Sequence, residues 1–155
     1  MNRNMLMNMI IYATKKHFGQ FDKAGMPYIL HPFQVMKNLD TDDEELQCIA
    51  IGHDLLEDTT ATEDELLIIS SSRVVNGIKA LTKIKGESYE DYKKKVLDNI
   101  DAVRVKLADI EHNTDLSRNS EFKEKDFIRT AKYLAFRAEL KESIRRDYGR
   151  DDKHS

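Results

Sequence analysis

Within the stretch IAIGHDLLEDTT, Ile49 to Thr60, one histidine and three carboxylates stand among leucines and isoleucines: His53, Asp54, Glu57 and Asp58. At roughly 100° per residue on a helix, all four fall within less than half the circumference, and Ile49, Leu55 and Leu56 take the other side. The polar stripe holds no cation. Glu57 lies one turn after His53 and Asp58 one turn after Asp54, so negative charge gathers near a helix C-terminus, where like charges repel and the helix dipole disfavours anions. A bound cation relieves both costs, whereas a solvated acidic face is the competing reading of the HD pair alone.

Two distant positions favour the cation. His31 sits in PYILHP, and Asp109 is a lone carboxylate among Val103, Val105, Leu107 and Ala108 in VRVKLADIEHN, where a helix cap or an ion pair is an equal alternative. Together, two neutral imidazoles and two carboxylates form a nitrogen and oxygen donor set suited to manganese, iron or zinc, with positions left for water and a phosphate oxygen. Such an ion acidifies water and neutralises a phosphate oxygen, which is the chemistry of phosphoester hydrolysis. Glu57 is placed to hold the attacking water, and Asp58 to share that role or to orient His53. Lys23, Lys83, Lys85 and Lys106 are candidates for the phosphates, with a solvated surface lysine as the alternative for each.

The elements that must position these side chains all read as helices. Met5, Met9, Tyr12 and Ala13 recur at helical spacing over residues 5 to 17. GQFDKAGMPY is a loop, and Pro32 suits the first position of a helix that places His31 at its start. The acidic run DTDDEE, residues 40 to 45, supplies an N-cap for one helix from Leu46 to Asp58. Thr62 with Glu65 and Ser88 with Asp91 mark two further helix starts. Helices are predicted over residues 73–83, up to Ile100, over 102–112, and from Glu121 to Tyr148 with Phe127, Ala131, Leu134 and Ala138 along one buried face. No segment reads as a sheet.

The 155 residues suit one domain with a real core, and 40% hydrophobic with 34% charged residues describe a helical protein rather than a disordered chain. We expect a single all-α domain, a bundle of about seven to nine helices, with the site in a cleft between the His31, HD and Asp109 helices. A net charge of -3 offers no general attraction for DNA, RNA or an anionic membrane, so the expected partner is a small molecule. Cys48 alone cannot form an internal disulfide and reads as a buried thiol in a reducing, cytoplasmic setting. The N-terminal apolar run is too short and too interrupted for a membrane span, and the oligomeric state is not legible.

In order along the chain, HFGQFDKAGMPYILHP, GHDLLEDT, ALTK and VKLADIEHN resemble the HD-domain hydrolases of the RelA/SpoT superfamily, in particular the small alarmone hydrolases. The resemblance runs from His17 to Asn113. It implies an HD-type metal-dependent phosphohydrolase domain over residues 1–148, followed by a mobile polar tail over 149–155. Its metal ligands fall on His31, His53, Asp54 and Asp109, and its metal is manganese, with another divalent transition metal possible. Its water-activating pair falls on Glu57 and Asp58. Its nucleotide contacts fall on Asn113 and Lys23, with Lys83 of ALTK a further candidate. The implied reaction removes the 3′-pyrophosphate of ppGpp or pppGpp, yielding GDP or GTP, and the length leaves no room for a synthetase half. The family's usual Arg-Lys is Asp22-Lys23 here, and its ADRLHN is ADIEHN with Ile110 and Glu111. These departures remove positive charge and the arginine that packs on the base, so the alternative substrates are ppApp, NADPH at its 2′-phosphate or another nucleoside phosphate.

Overall fold

In the computed structural model, residues 3–115 and 123–151 are described, with side chains only as far as Asp147 at the C-terminal end. Among these residues the chain forms α1 (Asn4–Lys16), α2 (Leu30–Leu39), α3 (Glu44–Gly52), α4 (Leu55–Asp58), α5 (Glu63–Ile69), α6 (Ser72–Ala80), α7 (Tyr89–Leu97), α8 (Ile100–Asn113) and α9 (Glu124–Asp151). The expected all-α bundle is observed. A lone bridge between Phe21 and Pro27 is the nearest approach to a strand among the described residues. None of the described helices is long and apolar enough to cross a membrane.

Polar caps set the helix starts. Asp43, Thr62, Ser71, Ser88 and Asn99 each accept a hydrogen bond from the backbone N–H three residues on, which satisfies one of the donors that a helix start leaves free. The Thr62 and Ser88 caps are those the sequence predicts, and Asp43 is the member of the acidic run 40–45 that supplies the cap expected there. The middle of the bundle is α3, which packs against α1, α2, α6 and α8. Its residues Leu46 and Cys48 to Gly52 are all buried. Burial pushes the Cys48 thiol up to about 12, so it stays protonated and inert. At Gly52 an added Cβ would lie 2.8 Å from Ile78 Cδ1, so glycine lets α6 close onto the end of α3 directly before His53.

Several boundaries differ from the sequence reading; among them, the helix predicted to run up to Ile100 ends at Leu97, and Ile100 opens α8. The predicted continuous helix from Leu46 to Asp58 breaks at His53–Asp54, because the His53 ring Nδ1 bonds the Ala50 carbonyl at 2.7 Å, the acceptor that a continuing helix would offer to the Asp54 N–H. Pro32 is the third residue of α2, not its first, and α6 stops at Ala80 instead of residue 83. The final helix continues to Asp151, past the predicted end at Tyr148, while Glu121 at its predicted start and residues 152–155 of the expected tail lie outside the described residues.

The largest correction concerns the face of α9. Phe127 is 58% and Leu134 46% exposed, and Ala131 and Ala138 are exposed too. The buried side carries Phe136 and Leu140, with Tyr133 and Ile144 packed beside them. Both stripes have helical spacing, and the one with the larger rings won: Phe136 meets Tyr89 edge-on at 6.1 Å between centroids.

Candidate active site

Four side chains from three parts of the fold converge on one point. His31 comes from the first turn of α2, His53 and Asp54 from the break between α3 and α4, and Asp109 from α8. His31 Nε2 lies 2.9 Å from Asp109 Oδ1 and 3.9 Å from Asp54 Oδ2. His53 Nε2 lies 3.1 Å from Asp54 Oδ2 and 3.5 Å from Asp109 Oδ1. His31, His53 and Asp109 are buried and Asp54 is partly buried.

Each of these groups is oriented from behind. The Ala50 carbonyl accepts from His53 Nδ1, which fixes the tautomer and leaves Nε2 toward the carboxylates. His31 Nδ1 is 2.7 Å from His112 Nδ1, with the two rings stacked at 4.9 Å between centroids. The Tyr28 hydroxyl donates to Asp54 Oδ2. Asn113 Nδ2 donates to Asp109 Oδ1 at 3.0 Å, and Lys106 Nζ to Asp109 Oδ2 at 3.0 Å. Metal-binding imidazoles and carboxylates ordinarily have such supports.

The electrostatics match the geometry. Burial opposes a charge on His53, but Asp54 and Asp109 outweigh it and hold its pKa well above the ordinary imidazole value. Burial also raises Asp109, yet Lys106 and the two imidazoles carry it well below the usual carboxylate range. Asp54 is lowered likewise, burial being outweighed by His53. Despite these attractions His53 Nε2 is buried with no hydrogen-bond partner among the described residues. An imidazole nitrogen beside carboxylate oxygens calls for a shared proton or a cation, and His31, His53 and Asp54 present ligand atoms within 4.8 Å of one another. The donor set therefore fits a divalent metal.

A cleft of about 450 Å³ opens over this point. Glu57, Asp58, Lys23 and Asn113 all line it. Glu57 Oε1 accepts the Lys83 backbone N–H at 2.7 Å. Desolvation, reinforced by neighbouring carboxylates, raises the pKa of both Glu57 and Asp58. Lys83 does not line this cleft. It lines an adjoining one of about 740 Å³ with Lys85, and its contact to the site is that backbone N–H. Lys106 lines both clefts, and Lys23 reaches Asp126 at 4.0 Å from the rim.

Sequence reasoning missed Tyr28 and His112. Tyr28 stands three residues before His31 in PYILHP and His112 three after Asp109, one helical turn or less from a ligand, and that spacing was the available signal. His17 and Gln20 were also missed: His17 Nδ1 meets Gln20 Oε1 at 2.7 Å, and Gln20 Nε2 donates to the Asp58 carbonyl at 2.9 Å, which ties the loop after α1 to the site.

Comparisons with known proteins agree with this picture. A solved structure described as a metazoan ortholog of SpoT that hydrolyses ppGpp and plays a role in starvation responses superposes with a TM-score of 0.69, covering 92% of this chain and 95% of that one at 23% identity. A GTP pyrophosphokinase of Myxococcus xanthus is 34% identical over 119 residues, 66% of this chain and 16% of that protein. The guanosine-3′,5′-bis(diphosphate) 3′-pyrophosphohydrolase of Haemophilus influenzae is 36% identical over 115 residues, and that of Aquifex aeolicus 35% over 111. The matched stretch amounts to 16–17% of the length of these relatives. No family model matches the chain. The chain thus has the all-α HD-domain fold of the SpoT ortholog and shares sequence with proteins named as ppGpp hydrolases and GTP pyrophosphokinases.

Proposed function

We propose that this protein is a metal-dependent 3′-pyrophosphohydrolase of ppGpp and pppGpp, leaving GDP or GTP and releasing pyrophosphate. The observation that carries the reading is the convergence of His31, His53, Asp54 and Asp109, with His53 Nε2 buried 3.1 Å from Asp54 Oδ2 and in no well-formed hydrogen bond among the described residues. The names of the relatives favour ppGpp over ppApp, NADPH or another nucleoside phosphate as substrate. We assign manganese to the four side chains; when bound, it supplies Lewis-acid polarisation of a phosphate oxygen and a more acidic water.

The chain's own groups do the rest. Tyr28, Asn113, Lys106, His112 and the Ala50 carbonyl hold the four ligands in place. Glu57 and Asp58 position the attacking water and accept its proton, and their raised pKa values bring them nearer the pH at which a general base works best. The Lys83 N–H fixes one Glu57 oxygen and so orients the other. Lys23 and Asn113 contact the nucleotide at the cleft wall, and Lys83 adds positive charge next to it. The nucleotide is a small-molecule partner, and we assign no DNA, RNA or membrane; the cytoplasm is the proposed setting.

Phosphorus NMR on the purified protein with ppGpp, pppGpp, ppApp and NADPH tests this reading. Manganese-dependent pyrophosphate release from ppGpp and pppGpp, abolished in His53→Ala, is the expected result. No release from ppGpp, or equal release by His53→Ala, contradicts it.

A further inference from the structure

Phe21 lines the same cleft as His31, Asp54 and Asp109, yet its ring is 65% exposed. The loop that presents it is held stiffly. Phe21 bridges to Pro27, the Asp22 N–H donates to the Met26 carbonyl at 2.8 Å, and the Tyr28 N–H donates to the Gln20 carbonyl at 2.9 Å. Asp22 Oδ1 accepts the N–H groups of Ala24 and Met26, each at 2.9 Å. Gly25 closes the turn at φ +82°, a conformation in which a residue with a Cβ is strained. Thus Asp22 in QFDKAG uses its Oδ1 on the loop's own backbone, and among the residues that line the cleft from this loop Phe21 is the one that brings an exposed aromatic ring.

Both ends of this loop are fastened to the site. Tyr28 donates to Asp54, and Gln20 donates to the carbonyl of Asp58. The Phe21 ring therefore stands in a fixed relation to the catalytic carboxylates, and a ligand meeting it has little loop ordering to do. An exposed ring on a rigid loop at the wall of a polar cleft suits a flat, π-faced ligand group. Stacking on such a ring is insensitive to which base is present, because every base has a π-face.

We propose that Phe21 is the nucleobase platform of this protein: the base of the substrate stacks on its ring while the phosphate lies at the His31, His53, Asp54 and Asp109 point. This rests on the nucleotide reading above and adds where the base binds; the platform by itself holds guanine and adenine alike, so a preference for ppGpp over ppApp has to come from other groups of the cleft.

The test is calorimetric binding of GDP, ADP and inorganic pyrophosphate to manganese-loaded wild type, Phe21→Ala, Phe21→Leu and Phe21→Trp, with ppGpp turnover measured on the same samples. Loss of the ring is expected to weaken GDP and ADP alike by roughly 5- to 150-fold, the equivalent of about 1–3 kcal/mol, with pyrophosphate binding unchanged. Phe21→Leu, which keeps apolar volume without a ring, fails to restore affinity, and Phe21→Trp restores it. Unchanged GDP affinity in Phe21→Ala overturns the platform, as does an equal loss for pyrophosphate, which indicates a damaged loop. Ring-dependent nucleotide binding without ppGpp turnover sustains the platform and contradicts the reaction. Turnover of ppGpp with the same KM in wild type and Phe21→Ala overturns the platform alone.

Discussion

The two ends of the α3–α8 pair handle charge in opposite ways. At one end Arg73 of α6 donates to Asp43, Glu45 and Asp101 at 2.8–3.2 Å, joining the start of α3 to the start of α8, while Ser71 also donates to Glu45. Three carboxylates share one guanidinium there, in the forked geometry that arginine suits. At the other end, His53 and Asp54 beyond α3 face Asp109 of α8, and Lys106 is the one lysine or arginine among the described residues in ion-pair contact with these three. One end is closed by the chain's own cation and serves stability. The other keeps imidazole nitrogens against carboxylate oxygens, an arrangement that, on the function proposed above, a cation from outside completes.

The sharpest way to break this comparison is to remove a ligand. His53→Ala is expected to lose bound manganese and to lower hydrolysis by on the order of 10³-fold or more, with the fold intact by circular dichroism. Next in size, His112→Ala and Tyr28→Phe each remove a support behind a ligand and are expected to weaken metal affinity or activity by about 10- to 100-fold, read by metal titration. At the other end, Arg73→Ala leaves three carboxylates without their cation. Because these groups are partly exposed, the expected cost is about 1–3 kcal/mol, a fall in Tm of roughly 2–10 °C by calorimetry with manganese affinity unchanged. A loss of activity at matched folded fraction in Arg73→Ala would erase the distinction between the ends.

Acid separates the ends more gently. Hydrogen bonds from Arg73 hold Asp43 below its ordinary 3.8, so its contribution to stability is present above about pH 4 and fades as the pH falls through the lower folded value. Arg73→Ala is expected to flatten the acid limb of stability in urea titrations between pH 5 and 3. At the His53 end acid acts in the same direction but by competition: the raised pKa means that a metal must displace the His53 proton, so manganese affinity is expected to weaken as the pH falls.

What the sequence made legible was local. His53, Asp54, Glu57 and Asp58 fall within two turns, and His31 and Asp109 stand out as polar residues in apolar settings, so the residue types offered one candidate metal site beside a solvated or ion-paired alternative, and the family resemblance favoured the metal. Caps at Thr62, at Ser88 and within the acidic run 40–45 were readable for the same reason, since each acts over three residues. The Arg73 cluster was not, because its partners are 28 and 30 residues away and an arginine in a helix looks like any solvated one. Nor could periodicity choose between the two apolar stripes of α9, because which one packs depends on Tyr89, a residue on another helix. The break at His53 also escaped, because it follows from a side chain bonding its own helix's carbonyl.

One measurement bears most directly on the whole account: metal content by mass spectrometry and pyrophosphate release from ppGpp, determined on the same preparations of wild type, His53→Ala and Arg73→Ala. The account expects one manganese and rapid release in wild type and Arg73→Ala, with neither in His53→Ala. Full release by metal-free wild type, or manganese retained at full stoichiometry in His53→Ala, would contradict it.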